Sequence, residues 1–371
     1  MLKDDTLADD LIARQITLFR YTAGERAVIL GLLRTMEEEL VERLFNDGRP
    51  LTDISREDKA RLLRQVQKVI DDYYTQASSR ADDQLGELAR IEASTTAASL
   101  ADAFRGAITP SLPTETVLRT LAGKTLIQGA PSADWWKRQA GDTMFRFKNQ
   151  VAQGIAQAET NDQIIRRIRG RAAGYTVVDG ERVYNYVGGV MDVTRANAAA
   201  LVQTSVQAVA GAARRETLLA NSDVVKGIRQ ISTLDGHTTP QCIARANAAW
   251  EIPGYKPIRP NTLPYNGGVP IHWNCRSAEI AVTRTFKELG IDLPEFDPST
   301  TSRSATGGPV AADMSFGAFL KRQEKKGPAF VDDLLGPGRA QLWRDGKITL
   351  RQLVDQYGRP LSLKELRKLY G

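Results

Sequence analysis

The chain has 371 residues, of which 42% are hydrophobic and 25% charged, the balance of a globular protein with a sizeable core and room for two or three domains. No stretch nears the roughly 20 apolar residues of a membrane span, and the opening MLKDDTLADD is acidic, without the apolar run of a signal peptide. Two cysteines exclude a disulfide framework. A protein made in the cytoplasm, without a membrane anchor, is expected. The net charge of +6 is uneven: residues 1–100 hold 14 Lys and Arg against 19 Asp and Glu, residues 316–371 12 against 6. A basic second half is compatible with a polyanionic neighbour, and equally with an ordinary solvated surface.

Residues 1–108 read as a helical N-terminal domain. Apolar residues recur at helical spacing from Leu7 to Leu44 and stop at Asn46-Asp47-Gly48-Arg49-Pro50. Ser55 offers a cap for a second helix through Leu62, Val66, Val69, Ile70 and Tyr74, followed by Ala/Ser-rich helix to Phe104. The run Glu37-Glu38-Glu39 is taken as a solvated face. Residues 109–132, with Pro110, Pro113, Gly129 and Pro131, form a looser connector.

The core domain is expected over 133–293. Ser132 or Asp134 caps a helix carrying Trp135, Trp136, Met144, Phe145, Phe147 and Val151, an aromatic stripe that suits core packing better than base stacking. A short helix from Asn161 turns Ile164, Ile165 and Ile168 inward. Its Arg166, Arg167, Arg169 and Arg171 point outward, as a solubilising face or as contacts to phosphate. Thr176–Val178, Asp179-Gly180 and Arg182–Val187 make a hairpin, a long helix runs from Asp192 to about Leu219, and strands cover Val225–Leu234 and 276–283. The fold class is therefore α+β, predominantly helical. A Pro/Gly/Ser/Thr-rich stretch, 294–314, reads as a flexible arm. Residues 315–371 read as a small basic helical extension with Lys321, Arg322, Lys325, Lys326, Arg367 and Lys368 as candidate DNA contacts.

Between the two core strands lie all the cysteines and histidines of the chain: His237, Cys242, His272 and Cys275. Two short-spaced donor pairs separated by a loop are what a tetrahedral structural Zn2+ requires. Such a site would pin the Pro/Gly-rich loop 243–271. A metal-free polar knot and a Cys242–Cys275 disulfide remain open beside it. Asp235 and Arg276 flank the site and are expected to pair across it. No Walker-type loop, dinucleotide fingerprint, nucleophile elbow or H-E-x-x-H is present, so no enzyme is expected.

This stretch resembles the phage head morphogenesis or minor head proteins, the family of the F protein of phage Mu. The likeness is carried by Ser232-Thr233-Leu234-Asp235, Thr238, Cys242, Trp250, Pro270, His272, Cys275 and Arg276. It extends to Trp135-Trp136, Gly154 and Ile164–Ile168, to Arg195, Thr204 and Ala212-Ala213-Arg214, and to a closing block from Phe319 to Leu366. Many relatives place a cysteine where Thr239 stands and an arginine where His237 stands. His237 is then the replacement fourth ligand, and without it the site has three. The resemblance implies a low-copy virion component at the portal vertex. Its partners would be the portal protein, major capsid or scaffold proteins and, non-specifically, DNA, and it would assist procapsid assembly and DNA packaging, retention or ejection. The rival is a virion-carried metal-dependent nuclease or toxin-like transferase.

Overall fold

The computed structural model describes residues 3–45, 49–178, 181–260, 262–294, 302–303, 305–306, 310–311 and 314–371. It is predominantly helical with small antiparallel sheets. Two helices open it, α1 (Lys3–Phe45) and α2 (Arg56–Ala103), followed by α3 (Glu115–Lys124), α4 (Ser132–Ala156) and α5 (Asn161–Arg169). The hairpin β1 (Gly170–Val178) and β2 (Glu181–Gly188) leads into α6 (Val190–Ala220). After it come β3 (Val225–Ile231), α7 (Pro240–Arg245), β4 (Ala249–Glu251) and β5 (Ala278–Thr283). The short pair β6 (Ser302–Arg303) and β7 (Val310–Ala311) precedes α8 (Phe316–Glu324), α9 (Ala329–Leu335), α10 (Pro337–Arg344), a 3-10 turn Leu350–Leu353 and α11 (Leu363–Tyr370). Among the described residues no helix is long and apolar enough to cross a membrane.

Two compact units form, each from separate stretches of chain. Unit 1 comprises Met1–Phe19, Glu87–Leu121 and Gln207–Gly371, and unit 2 comprises Arg20–Gly86 and Ala122–Val206. The long helices α1, α2 and α6 contribute residues to both.

In unit 2 the helical spacing has its expected result: Ile29, Leu33, Met36 and Leu40 of α1 are buried, as are Val66, Ile70 and Tyr74 of α2. The Ser55 hydroxyl accepts the Asp58 amide at 3.0 Å and starts α2. On α4, Trp136, Phe147 and Val151 are buried while Phe145 is 67% exposed, so the aromatic stripe divides between core and surface. Neither Ser132 nor Asp134 caps this helix. Pro131 occupies the cap position without a side-chain bond, and Ser132 is buried. The Tyr74 hydroxyl meets Thr143 at 2.9 Å and Thr143 meets Thr194 at 3.2 Å, joining α2, α4 and α6 through a buried polar chain.

Glu37 departs from the expected solvated face. It is buried and accepts from Arg169 at 2.7 Å and Arg195 at 2.5 Å. Two guanidiniums from sequence-distant helices neutralise a carboxylate that burial would otherwise make costly. The hairpin starts at Gly170, earlier than the sequence suggests, and its Asp179-Gly180 turn lies outside the described residues. Gly170 pairs with Gly188 at its base, where a Cβ on Gly170 would stand within van der Waals overlap of the Val187 carbonyl.

Unit 1 is built on the antiparallel sheet β4-β3-β5. Its first core gathers Leu100 and Phe104 of the α2 end, Leu218 of α6, and Val225, Ile228, Trp250, Ala281 and Phe286. A second core holds Leu234 and Ile243 with Phe316, Phe319, Val331, Leu335, Leu353 and Leu366. Glu92 of α2, 1% exposed, accepts from Arg14 at 2.8 Å and from buried Arg214. The expected connector is not wholly loose, since α3 occupies part of it. The expected arm 294–314 falls largely outside the described residues, but its described parts are held: the Thr306 amide donates to Leu234 O at 3.0 Å, Gln323 donates to Thr306 O at 2.9 Å, and Val310 is buried.

Candidate metal centre

The site is assembled where β3 runs out and β5 begins. After β3 the chain turns through Asp235, whose Oδ1 accepts the His237 amide at 2.9 Å, the side-chain-to-backbone bond of an Asx turn. Thr238 ties the turn down by donating to Thr233 O at 2.6 Å. Pro240 then takes the first position of α7, where its missing N–H costs nothing. The turn geometry sets Cys242 facing inward on α7, with Thr239 just before the helix.

The second pair arrives on a tight turn. The Cys275 amide donates to His272 O at 3.2 Å, and Asn274 at φ 59° supplies the left-handed residue that such a turn needs. Ser232 donates to Cys242 O at 2.8 Å and Ser277 donates to Ser232 at 3.3 Å, so two hydroxyls link α7 to the strand ends. Arg276 grips Asp235 with two bonds, Nη1 to Oδ2 at 2.5 Å and Nη2 to Oδ1 at 2.8 Å, a planar fork matched to a carboxylate.

Cys242, His272 and Cys275 place their donor atoms within 4.8 Å of one another, and the three could hold a metal ion. The two cysteines are free and buried, Sγ to Sγ 3.7 Å, with no disulfide between them. Cys242 Sγ lies 3.2 Å from His272 Nε2. The other ring nitrogen, Nδ1, is 2.8 Å from Trp273 O and must donate to it, so in the neutral ring Nε2 carries the lone pair and faces the thiols.

The electrostatics separate the two sulfurs. The Cys242 thiol donates to Cys275, and with help from His272 this outweighs burial and draws Cys275 down to about 4. The same contact, with burial, pushes Cys242 up. Burial opposes charge on His272, but the Cys275 thiolate and the Trp273 carbonyl prevail and raise its pKa. Burial likewise works against the Asp235 carboxylate, yet Arg276 and the His237 amide hold it below the usual carboxylate range.

His237, expected as a fourth ligand, is exposed and stands outside the cluster. Its backbone serves the Asp235 turn instead, which fixes the residue on the solvent side. The residue that does stand beside the cluster is Thr239, whose Oγ1 is 2.9 Å from His272 Nε2. No spacing rule singles out a threonine; the family resemblance marks this position as one where many relatives carry cysteine, three residues before Cys242.

The loop expected to depend on this knot has other attachments. It contains the end of α7 and all of β4, and buried Trp250 donates to Leu263 O at 2.8 Å. Tyr255 stacks on Tyr265 with ring centroids 4.3 Å apart, and Arg245 donates to Pro264 O at 2.8 Å. Charge separation along the sequence gave no sign of these ties.

The arginine candidates are divided. Arg167 is committed within the protein, donating twice to Glu159 at 2.6 Å and also to Gln150, Gln153 and Gln157. Arg169 is held by Glu37 and covers the Tyr186 ring at 5.1 Å. Both are thereby withdrawn from the outward face predicted for them. Arg166 and Arg171 are exposed, as are Lys321, Arg322, Lys325, Lys326, Arg367 and Lys368. No protein-family model, no curated protein and no solved structure matches the chain.

Proposed function

We propose that the protein is a structural and interaction protein, a phage minor head protein present in few copies at the portal vertex, whose Cys/His knot is a zinc staple. The observation that carries the reading is the convergence of Cys242, His272 and Cys275 beside the Asp235–Arg276 pair, since these residues also carry the family resemblance.

The donor set suits zinc. Ligand distances of about 2.3 Å for sulfur and 2.0–2.1 Å for nitrogen imply tetrahedral edges of about 3.8 Å for S–S and about 3.5 Å for S–N. The observed 3.7 and 3.2 Å approach both. Cys242, His272 and Cys275 would be the ligands, with the Thr239 hydroxyl beside the fourth corner. Bound there, the ion supplies a cross-link between α7 and the 272–275 turn.

Burial favours the staple over the nuclease or transferase rival. Both sulfurs are sealed from solvent, and the neighbouring carboxylate, Asp235, has both oxygens engaged by Arg276. A hydrolytic centre needs a reachable metal face and a carboxylate free to move a proton. The exposed lysines and arginines of the 321–368 block are assigned to DNA contact near the packed genome.

Co-expression with the portal protein of the same phage tests the reading: the two should co-purify through size exclusion, and separate elution refutes it. Metal analysis of the purified protein should find about one zinc per chain, lost in Cys275→Ser. Deleting residues 316–371 should lower the salt dependence of duplex binding; an unchanged slope removes the tail from the DNA contact.

A further inference from the structure

Unit 2 contains a cavity of about 640 Å³ lined by five arginines: Arg26 and Arg34 of α1, Arg169 of α5, Arg182 of β2 and Arg195 of α6. Three carboxylates share the lining, Glu37, Glu38 and Asp192. Their dispositions differ. Glu37 is consumed by Arg169 and Arg195, and Asp192 accepts the Gly188 amide at 3.0 Å. Glu38 faces solvent. Arg26, Arg34 and Arg182 are exposed, and none makes an ion pair among the described residues. The cavity therefore carries five guanidiniums against three carboxylates, three of those guanidiniums have no carboxylate partner among the described residues, and a concave wall of net positive charge focuses the field on an incoming anion.

The wall also carries aromatic surface. Tyr184 is 51% exposed. It meets Tyr175 across the hairpin with ring centroids 6.1 Å apart, and the Arg182 guanidinium lies 4.8 Å over the Tyr175 ring. Rings left this open on a two-stranded hairpin do not serve a core. Arg26 and Arg34 stand eight residues apart on one helix, about 12 Å along its axis. That spacing lets each guanidinium take its own phosphate along one strand.

We propose that this cavity binds single-stranded nucleic acid, with backbone phosphates on Arg26, Arg34 and Arg182 and an unpaired base on the Tyr184 ring. Arginine forks suit phosphate oxygens, and an open tyrosine stacks any base without reading its sequence. A duplex offers no unpaired face to that ring. The proposal is independent of the portal-vertex reading, because it concerns a different surface and needs neither the metal nor a protein partner.

The test is fluorescence anisotropy of the full-length protein with labelled oligo(dT), with a duplex of equal length and inorganic phosphate as competitors. The double variant Arg26→Ala/Arg34→Ala should weaken binding at least tenfold and reduce the salt slope by about 1.4, at about 0.7 per phosphate contact for a single strand. Tyr184→Ala should weaken binding between about 5- and 160-fold, the range of one lost stack, and leave the slope unchanged. All three side chains are exposed, and melting temperatures equal to wild type confirm that the variants fold. Wild-type affinity in both variants overturns the proposal. So does a duplex that competes as well as oligo(dT), or displacement by phosphate at matched concentration.

Discussion

Thr239 stands beside the Cys/His cluster where the fourth ligand of the proposed zinc would sit, and Thr239→Cys tests whether the cluster is a metal site. The hydroxyl oxygen is 2.9 Å from His272 Nε2, and it makes no capping bond to α7, so replacing it removes no helix cap. A sulfur in its place would complete three thiolates and one imidazole, a closed tetrahedral set. An added thiolate bonds the ion directly, so its effect should be at least as large as the about 10- to 100-fold that outer-shell partners of zinc ligands contribute. A 100-fold gain corresponds to about 2.7 kcal/mol at a fixed free zinc concentration that saturates the variant and only begins to fill wild type. Unit 1, which contains the site, has about 220 residues. At about 2.1 cal/mol/K per residue its unfolding entropy is near 0.46 kcal/mol/K, so the gain reads as a shift of about 6 °C.

The assay is a thermal melt of wild type and Thr239→Cys, each with buffered zinc and with chelator, alongside competition against a chromophoric chelator. In chelator the two should melt within about a degree of each other. With zinc, the variant should rise by about 6 °C more than wild type and compete more strongly. A variant that takes up no more zinc than wild type would refute the geometry, because a cysteine three residues before Cys242 could then not reach the same centre.

Two further outcomes follow from buried groups. Glu92→Gln leaves Arg214 buried without its countercharge, and breaking a buried pair by one partner costs about 3–5 kcal/mol. Urea unfolding should show that loss, and replacing Glu92, Arg14 and Arg214 together by apolar residues should recover most of it. Burial pushes the Tyr74 hydroxyl up to about 12, against an ordinary value near 10. A raised pKa means that the stabilisation is complete below pH 10 and is lost as pH rises towards 12. Wild type should therefore lose stability across that window more steeply than Tyr74→Phe in denaturant melts at stepped pH, and parallel curves would contradict it.

Periodicity carried most of the helical architecture. Leu33, Met36 and Leu40 recur at intervals that only a helix turns to one side, and Ser55 announces its helix by a local bond. What periodicity could not carry is pairing between distant helices. Glu37 sits in a run of three glutamates that looks solvated, and its burial depends on Arg169 and Arg195, more than 130 residues away. Arg169 failed as an outward contact for the same reason, whereas Arg167 is taken by Glu159, only eight residues earlier, a local pairing that the helical period does not register. At the Cys/His site the sequence showed which donors lay near one another in chain order. It could not show that the Asp235 turn draws the His237 backbone, leaving its ring outside, or that the Thr239 hydroxyl would lie against His272 Nε2. β4 and α7 escaped notice because three- and six-residue elements are too short for a period.

The ties within the loop bound what a metal can contribute. The knot joins Cys242 to Cys275 across 33 residues, and a rigid cross-link of that span is worth about 3.7 kcal/mol on the chain-entropy account. That figure concerns the unfolded chain alone and says nothing of what holds the loop once folded. Here the indole of Trp250 and the guanidinium of Arg245 already fix Leu263 and Pro264, while β3 aligns β4 and β5 without help from the cluster. The folded loop thus survives loss of the cross-link over most of its length, and the segment that would come loose is the short run from Val269 to Cys275. Stripping the metal should accordingly leave the β4-β3-β5 sheet intact and raise amide exchange only in α7 and that run. Exchange spreading through β3 or β5 would mean that the knot, rather than Trp250, holds the domain together.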